Sequence, residues 1–174
     1  MKSILRFLIL CTLFCLHAAS PSADAWAGAS ASQWVVVVNG DSHNSRTLAN
    51  HYCQLRDIPG RNVIVLKEIP NSNTMPIDEF RSRILGPVLK EIEDRQLSTH
   101  IQGIAYSCDI PTTIELQSDL SSVENLPKVL TPTASINGLT YLFRWVMEKN
   151  PTYITPDSNW YATHEAASLL KIYQ

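Results

Sequence analysis

The feature that most constrains the fold is an uninterrupted apolar run, WVVVV, at residues 34–38. Because its valines do not alternate with polar residues, both faces of the strand that they form are expected to be buried. Such strands are typical of parallel sheets covered by helices on both faces. Asn39-Gly40 follows at once, but no second apolar run comes directly after it, which argues against a hairpin. The run therefore predicts the central strand of an α/β fold.

A helix is predicted directly after this strand. Ser42 or Asn44 suits the N-cap position, because either side chain can accept a hydrogen bond from a backbone N–H of the first turn. The apolar residues that follow recur at helical spacing and are expected to share one face: Leu48, Ala49, Tyr52 and Leu55. Pro59-Gly60 cannot continue a helix comfortably, so the helix is expected to end before it.

Two more strands and a long helix complete the order β-α-β-α-β. Residues 62–66 and 101–107 are apolar runs of strand length. Residues 76–97 between them have helical spacing, with a kink expected at Gly86-Pro87. Since crossovers between parallel strands are right-handed in nearly all cases, the simplest arrangement of the three strands is a parallel sheet with the order 2-1-3. This predicts an α/β three-layer sandwich with Rossmann-like or caspase-like topology.

The domain organisation is simple. Residues 1–31 are expected to be a signal peptide and linker, and residues 32–174 a single α/β domain. Within that domain, residues 118–133 are expected to form a surface excursion, and residues 136–150 and 164–174 to form helices. A three-stranded sheet with an exposed edge is small for this architecture, which leaves open that the chain is the N-terminal part of a larger fold.

The start of the chain has the pattern of a secretory signal peptide. Lys2 and Arg6 form a positive n-region, and the apolar run at residues 7–16 is too short to span a membrane. Small-residue cleavage sites follow at residues 23–25 (ADA) and 29–31 (ASA). The chain is therefore expected to be exported to the periplasm, cell envelope or extracellular space, with no stable membrane span after cleavage.

The charge of the chain disfavours a nucleic-acid partner. The full chain has a net charge of −2, and loss of the leader removes two basic residues and one acidic residue (Lys2, Arg6 and Asp24), which gives −3. No run of basic residues is present to neutralise phosphates. The sequence predicts no cofactor and does not otherwise indicate the partner.

Open parallel sheets bind ligands outside the carboxyl ends of their strands, where neighbouring connections leave in opposite directions. With the order 2-1-3, this crevice lies between the first and third strands. The candidate catalytic residues at its two lips are Asp41, Ser42 and His43 after the first strand, and Cys108 and Asp109 after the third.

Each of these candidates has a chemical and a purely structural interpretation. Asp41 and Asp109 could share a divalent cation, because hard cations prefer carboxylate oxygens. The alternative is that each caps a helix or a turn. His43 could act as the base for a Cys108 nucleophile. The alternative is a solvated loop histidine and a small buried cysteine, and the neighbouring Asp109 disfavours a thiolate.

The two cysteines outside the leader, Cys53 and Cys108, are expected to be free thiols. Cys108 follows the third strand, whereas Cys53 lies about ten residues into the first helix, roughly 15 Å from that end of the sheet. Because bridged Cα atoms lie within about 7 Å of each other, a disulfide between them is not expected.

Four segments together resemble a known family: VVVNGDSHNSRTLANHYCQLRDIPGRNVIVL, IPNSNTMPIDEFRSRILGPV, IQGIAYSCDIPTTI and ASINGLTYLFRWVMEKNPTYI. They are similar to an uncharacterised exported family from bacteria whose genomes carry the exosortase protein-sorting system, planctomycetes among them. RDIPGRNVIVL and ASINGLTYLF are the most specific parts. The family has no established activity, so the resemblance implies no catalytic residue. Its members are usually longer, which implies that this chain is truncated, and SCDIP departs from the family's basic or glycine-rich step after the third strand.

Two hypotheses about function follow. The first is an exported, non-catalytic or truncated α/β module of the bacterial envelope. The alternative is a hydrolase-like enzyme, of peptidase or esterase type, with its site at the C-terminal ends of strands 1 and 3. The first two β-α units also resemble the start of caspase- and gingipain-like peptidases, although this likeness is one of fold alone.

Overall fold

A three-stranded parallel sheet forms the centre of the protein. The structure, a computed structural model, describes residues 29–121, 123 and 132–154. In spatial order the strands are β2 (Val63–Leu66), β1 (Trp34–Asn39) and β4 (Gly103–Tyr106). The central strand pairs in parallel with both neighbours, Val36 opposite Val63 and Val35 opposite Ile104. The predicted α/β class, parallel sheet and strand order are confirmed.

The four valines of β1 are divided between two apolar clusters, because successive side chains of a strand point to opposite faces. Val35 and Val37 belong to the larger cluster, together with residues of the long helix such as Phe80, Ile84 and Val88. Val36 and Val38 belong to a smaller cluster with Ala49 and Ile58. All four are at most 2 % exposed. The prediction that both faces of this strand are buried is confirmed.

Ser42 caps helix α1 (His43–Arg56), because its side chain accepts a hydrogen bond from the backbone N–H of Ser45. It buries Ser45 and Ala49 against β1, and these small side chains allow the helix to lie close to the strand. The expectation that Leu48 and Leu55 share the buried face was wrong: they are 52 % and 82 % exposed. The inner face is set by the small residues, which turns both leucines outward.

The long helix is continuous but not uniform. It consists of α2 (Ile77–Glu79), a π-helical segment (Phe80–Leu85) and α3 (Gly86–Asp94). Gly86 donates its backbone N–H to Arg81 O, five residues earlier, and a Cβ on Gly86 would lie only 2.8 Å from that oxygen. Pro87 has no N–H to donate. The irregularity expected at Gly86-Pro87 is therefore a π-helical segment that ends there.

A second, smaller sheet was not predicted. Its strands are β3 (Thr74–Pro76), β5 (Thr113–Glu115) and β6 (Thr133–Ser135), with β5 in the middle, parallel to β3 and antiparallel to β6. Each strand has three residues, too few for alternation of apolar and polar side chains to be recognised.

The remaining helices are short. They are α4 (Gln117–Leu120), α5 (Ile136–Tyr141) and α6 (Phe143–Met147), followed by a 3₁₀ turn (Pro151–Tyr153). The single helix expected over residues 136–150 is thus broken at Leu142. The helix expected over residues 164–174 lies outside the described residues, as does most of the excursion expected at 118–133. In the part of the chain that is described, none of the helices combines the length and apolar character needed to cross a bilayer.

Candidate functional site

The carboxyl ends of β1 and β4 are joined by the side chain of Asn39, which is 6 % exposed. Its amide nitrogen Nδ2 donates to the backbone oxygen of Asp109 at 2.7 Å. Its oxygen Oδ1 accepts a hydrogen bond from the N–H of Asp41 at 3.0 Å. One buried amide therefore holds both lips of the predicted crevice together, and both of its polar ends are satisfied.

Three serines extend this connection. The Oγ of Ser42 donates to Oδ2 of Asp109 at 2.5 Å and accepts from the N–H of Ser45 at 3.0 Å. The Oγ of Ser45 accepts from the N–H of Asn39 at 3.0 Å. Ser107 Oγ donates to the backbone oxygen of Ser45 at 2.8 Å. The start of α1 is thus bound to both strands, and Ser42 and Asp109 are brought into direct contact, which the sequence predicted only as proximity.

Asp109 also has an unusual backbone conformation. Its φ of 57° lies in the left-handed region, which disfavours residues with a Cβ. The hydrogen bonds that its backbone oxygen and its carboxylate accept, from Asn39 and Ser42, hold it there. This conformation turns the chain after β4 back toward β1.

Asp41 points away from Asp109. Its Oδ2 accepts a hydrogen bond from the N–H of Glu68 at 2.6 Å, and Glu68 follows β2, on the opposite side of β1 from β4. This contact matches the structural interpretation, in which Asp41 stabilises a turn. Over the described ranges, no three His, Cys, Asp or Glu side chains form a group suited to a metal ion. A cation shared by Asp41 and Asp109 stays a prediction.

His43 and Cys108 are not paired. His43 is exposed on the first turn of α1, and Cys108 is half-buried after β4. Among the described residues, neither side chain forms a hydrogen bond, and Cys108 is a free thiol. Cys53 is also free, as expected, and burial raises the pKa of its thiol. The arrangement does not place a base against the sulfur of Cys108.

A groove lies along the outer edge of β4 and was not anticipated from the sequence. It has a volume of about 860 Å³, and we call it the β4 groove. Its floor is β4 itself, and its walls are α3, α5 and α6. Most of the side chains that line it are apolar, including Leu89, Ile92, Ile104, Ile110, Ile136 and Met147. The volume falls in the range of small-molecule and peptide sites.

Polar side chains also line the β4 groove, and most of them are neutral, including Ser98, Gln102, Ser107, Thr112 and Asn137. The hydroxyl of Tyr106 shares a hydrogen bond of 2.8 Å with Thr140 Oγ1, which also bonds to the backbone oxygen of Ile136. Burial raises the pKa of Tyr106 to about 12, so this phenol is uncharged at neutral pH. The charged lining residues are Lys90 and Glu93, of opposite sign, and Lys90 is paired with Asp94.

A buried ionic cluster in the larger core was also missed. The guanidinium of Arg81, 7 % exposed, donates Nε to the backbone oxygen of Val146 at 2.7 Å. Both of its terminal nitrogens bind the carboxylate of Asp119, and the hydroxyl of Tyr153 donates to Asp119 Oδ2 at 2.5 Å. We call Arg81, Asp119 and Tyr153 the Arg81 cluster. It joins the π-helical segment to α4, α6 and the turn at Pro151–Tyr153.

One feature of the sequence indicated this cluster. Arg81 stands four residues after Ile77 and three before Ile84, on the apolar face of the predicted helix. A charged residue on a buried helix face is rarely tolerated without a partner, which predicts an acidic group opposite it. Nothing in the sequence identified Asp119, 38 residues further on, as that partner.

Asp119 gives the stability of the protein a pH dependence. Burial raises the pKa of its carboxyl, but hydrogen bonds from Arg81 and Tyr153 and the charge of Arg81 outweigh burial and lower it. Its contribution should be complete above its ordinary pKa near 4, and should be lost as the pH falls through the lower pKa of the folded state. The free energy of unfolding, measured in urea, should fall less between pH 7 and pH 3 for Asp119→Asn than for the wild type. An equal fall in the two proteins would show that Asp119 does not cause this pH dependence.

Ser42→Ala should destabilise the protein by about 1–2 kcal/mol, because it removes the N-cap of α1 and the partner of Asp109. Thr47→Ala is the matched control, since Thr47 is exposed on the same helix and should change stability by less than about 0.5 kcal/mol. Urea denaturation followed by circular dichroism measures both. A Ser42→Ala variant as stable as the control would show that the network at this end of the sheet is not stabilising.

Comparison with protein-family models, curated proteins and solved structures gave no match to this chain.

Proposed function

We propose that this chain is an exported α/β binding module of the bacterial cell envelope, without catalytic activity of its own, and that the β4 groove binds its ligand. The observation that carries the proposal is the groove. It has about 860 Å³ of mostly apolar space with neutral polar side chains inside it, and it lies beside the outer edge of β4, which pairs with no strand in the part of the chain that the structure describes. Sites of this composition bind apolar ligands and use a small number of polar groups to orient them.

Export and envelope location rest on the sequence. The leader predicts secretion, and the resemblance to the exosortase-associated family agrees with an envelope protein. If the chain is exported, the secreted protein should begin at Trp26 or Ser32, after one of the two cleavage sites. N-terminal sequencing and the intact mass of the protein recovered from an expressing bacterium test this. Recovery of only the full-length chain from the cytoplasm would contradict export.

For the fold, we infer a three-layer arrangement related to Rossmann-like or caspase-like proteins. Support comes from the two apolar clusters on opposite faces of β1, one with α1 and the other with the long helix. The parallel order β2-β1-β4 with helical crossovers is common to both topologies. An experimental structure in which helices cover one face alone would overturn this inference.

The groove itself is tested with N-phenylnaphthylamine, an uncharged apolar dye whose fluorescence rises in an apolar site. The dye should bind the wild-type protein, and Leu89→Glu, which puts a carboxylate on the groove wall, should weaken binding at least tenfold. Leu55→Glu is the matched control, because Leu55 is 82 % exposed on α1, away from the groove. Equal binding by the wild type and both variants, or no binding at all, would overturn the groove as a site.

A second candidate function is hydrolysis, of peptidase or esterase type, at the carboxyl ends of β1 and β4. The observation that favours it is the hydrogen bond from Ser42 to Asp109, which places a hydroxyl against a carboxylate where open parallel sheets bind ligands. Turnover on a panel of peptides and esters that is lost in Ser42→Ala and Asp109→Asn, but kept in Asp41→Ala, would replace the binding proposal. A panel without turnover would count against hydrolysis.

A further inference from the structure

The outer edge of β4 is the most unusual part of the groove. In the described part of the chain this strand pairs with β1 on one side only, and all four of its residues, Gly103 to Tyr106, are half-buried. Within the described ranges, no other group hydrogen-bonds to the backbone on its outer edge. At about 3.3 Å per residue, this leaves roughly 13 Å of alternating N–H and C=O groups facing an apolar groove. Such groups require hydrogen-bonding partners if an apolar ligand excludes water from them.

We infer that the ligand of the β4 groove is an extended peptide segment of another protein, which adds to β4 as a further strand. This inference rests on the proposed function and names its ligand class. A lipid or another purely apolar molecule would cover the backbone groups of β4 without satisfying them. A strand supplies donors and acceptors at the same spacing along the whole edge, so that main-chain hydrogen bonds form without a specific side-chain partner.

The charges of the groove define the side chains of that segment. Lys90 and Glu93 are of opposite sign on the same wall, so the charged side chains that line the groove offer no net charge to a charged ligand. Burying an unpaired charge against Leu89, Ile104 and Met147 is strongly unfavourable. Neutral side chains complement this groove. Since alternate side chains of a strand point to the same face, every second residue should be apolar.

A strand suits the groove better than a helix, because a helix uses its own backbone N–H and C=O groups internally and has none to offer β4. Helices α3 and α5 line the groove, and both also contribute side chains to the larger cluster. A strand paired with β4 would lie about 4.8 Å from it. At the amino-terminal end of β4, the ring of Trp34 fills the place that a side chain on Gly103 would occupy.

The test uses the secreted protein, without its leader but otherwise complete. The probe is a fluorescein-labelled, amidated nine-residue peptide that alternates threonine and valine. Fluorescence polarisation should show saturable binding, weakened at least tenfold by Leu89→Glu and unchanged by the control Leu55→Glu. The decisive probe is the same peptide N-methylated at alternate residues, in two versions that block opposite edges. One version should bind at least tenfold more weakly than the unmodified peptide, because its edge can no longer pair with β4. Equal binding by all three peptides would overturn strand addition.

Other occupants of the β4 groove would give results that differ from those expected for a peptide of another protein. If the protein sediments as a dimer that Leu89→Glu dissociates, a second copy covers the edge and the inference is wrong. If the peptide binds only a variant that ends at Ile154, residues 155–174 of the same chain are the occupant, and the inference is again wrong. Dye binding without peptide binding would leave the β4 groove as a site but remove the peptide as its ligand. Loss of both would remove the proposed function as well.

Discussion

Asp119→Ala is expected to lower the free energy of unfolding by about 3–5 kcal/mol, because it leaves the guanidinium of Arg81 buried without its main acidic partner. Arg81 is 7 % exposed, and the side chain of Asp119 is 10 % exposed. The remaining acceptors of Arg81 are the backbone oxygen of Val146 and the more exposed carboxylate of Asp78. Neither neutralises the charge as the bidentate pair with Asp119 does.

Urea unfolding at pH 7 measures this loss directly. Glu148→Ala is the control, because it breaks an ion pair with Arg144 in which both side chains are more than 40 % exposed. It should change the free energy of unfolding by less than about 1 kcal/mol. If Asp119→Ala were as mild as this control, the Arg81 cluster would not contribute to stability, and Arg81 would have to be solvated in solution.

A double variant distinguishes the interaction between Arg81 and Asp119 from the cost of leaving one charge buried without a partner. When both charges are replaced by apolar side chains, no unpaired charge is left in the core, and such replacements are often close to neutral. The variant Arg81→Leu with Asp119→Leu should therefore lose less stability than the sum of the two single variants. Additive losses would show that Arg81 and Asp119 are stabilised independently by their other contacts.

The elements that the sequence predicted well are those in which local pattern and tertiary position agree. The valines of β1 are apolar at consecutive positions, and such a run is buried wherever the strand is central in the sheet. Ser42 is a good N-cap by local chemistry alone, and it caps α1. The order of β2, β1 and β4 followed from the handedness of crossovers, which depends on the twist of the chain rather than on side chains.

The elements that the sequence did not predict depend on contacts between distant residues. The pair of Arg81 with Asp119 spans 38 residues, and the hydroxyl of Tyr153 reaches Asp119 across 34. The buried face of α1 is decided by the close approach of Ser45 and Ala49 to β1, which outweighs the apolar character of Leu48 and Leu55. No local pattern carries either kind of information, because both arise only when the elements pack.

In the candidate site, too, some features could be predicted from the sequence and others could not. Strand order alone brought Ser42 and Asp109 to one crevice, and they are in contact. Asp41 lies two residues after Asn39 and shares the same lip, yet its carboxylate binds the N–H of Glu68 after β2. The direction of a side chain at a strand end is set by the loops around it. The β4 groove is harder still to predict, since it depends on which strand lies at the edge of the assembled sheet.

Phe80→Ala should lower the free energy of unfolding by about 3–5 kcal/mol. Phe80 is among the largest fully buried side chains, at 0 % exposure, and it lies in the larger cluster with Val37, Ile84 and Val88. It also begins the π-helical segment that contains Arg81. Removal of the ring leaves a cavity that rigid neighbours in the sheet and helix cannot fill, so the lost transfer free energy and the cavity both contribute.

Leu55→Ala is the control for this variant, because it removes an apolar side chain of similar size that is 82 % exposed on α1. It should change the free energy of unfolding by less than about 0.5 kcal/mol. Urea denaturation curves, followed by tryptophan fluorescence and by circular dichroism, measure both variants. The two signals should give the same midpoint for Phe80→Ala, since the larger cluster contains residues of both sheets and of the long helix. A loss below about 1 kcal/mol, or separate midpoints, would show that Phe80 does not join these elements into one cooperative core.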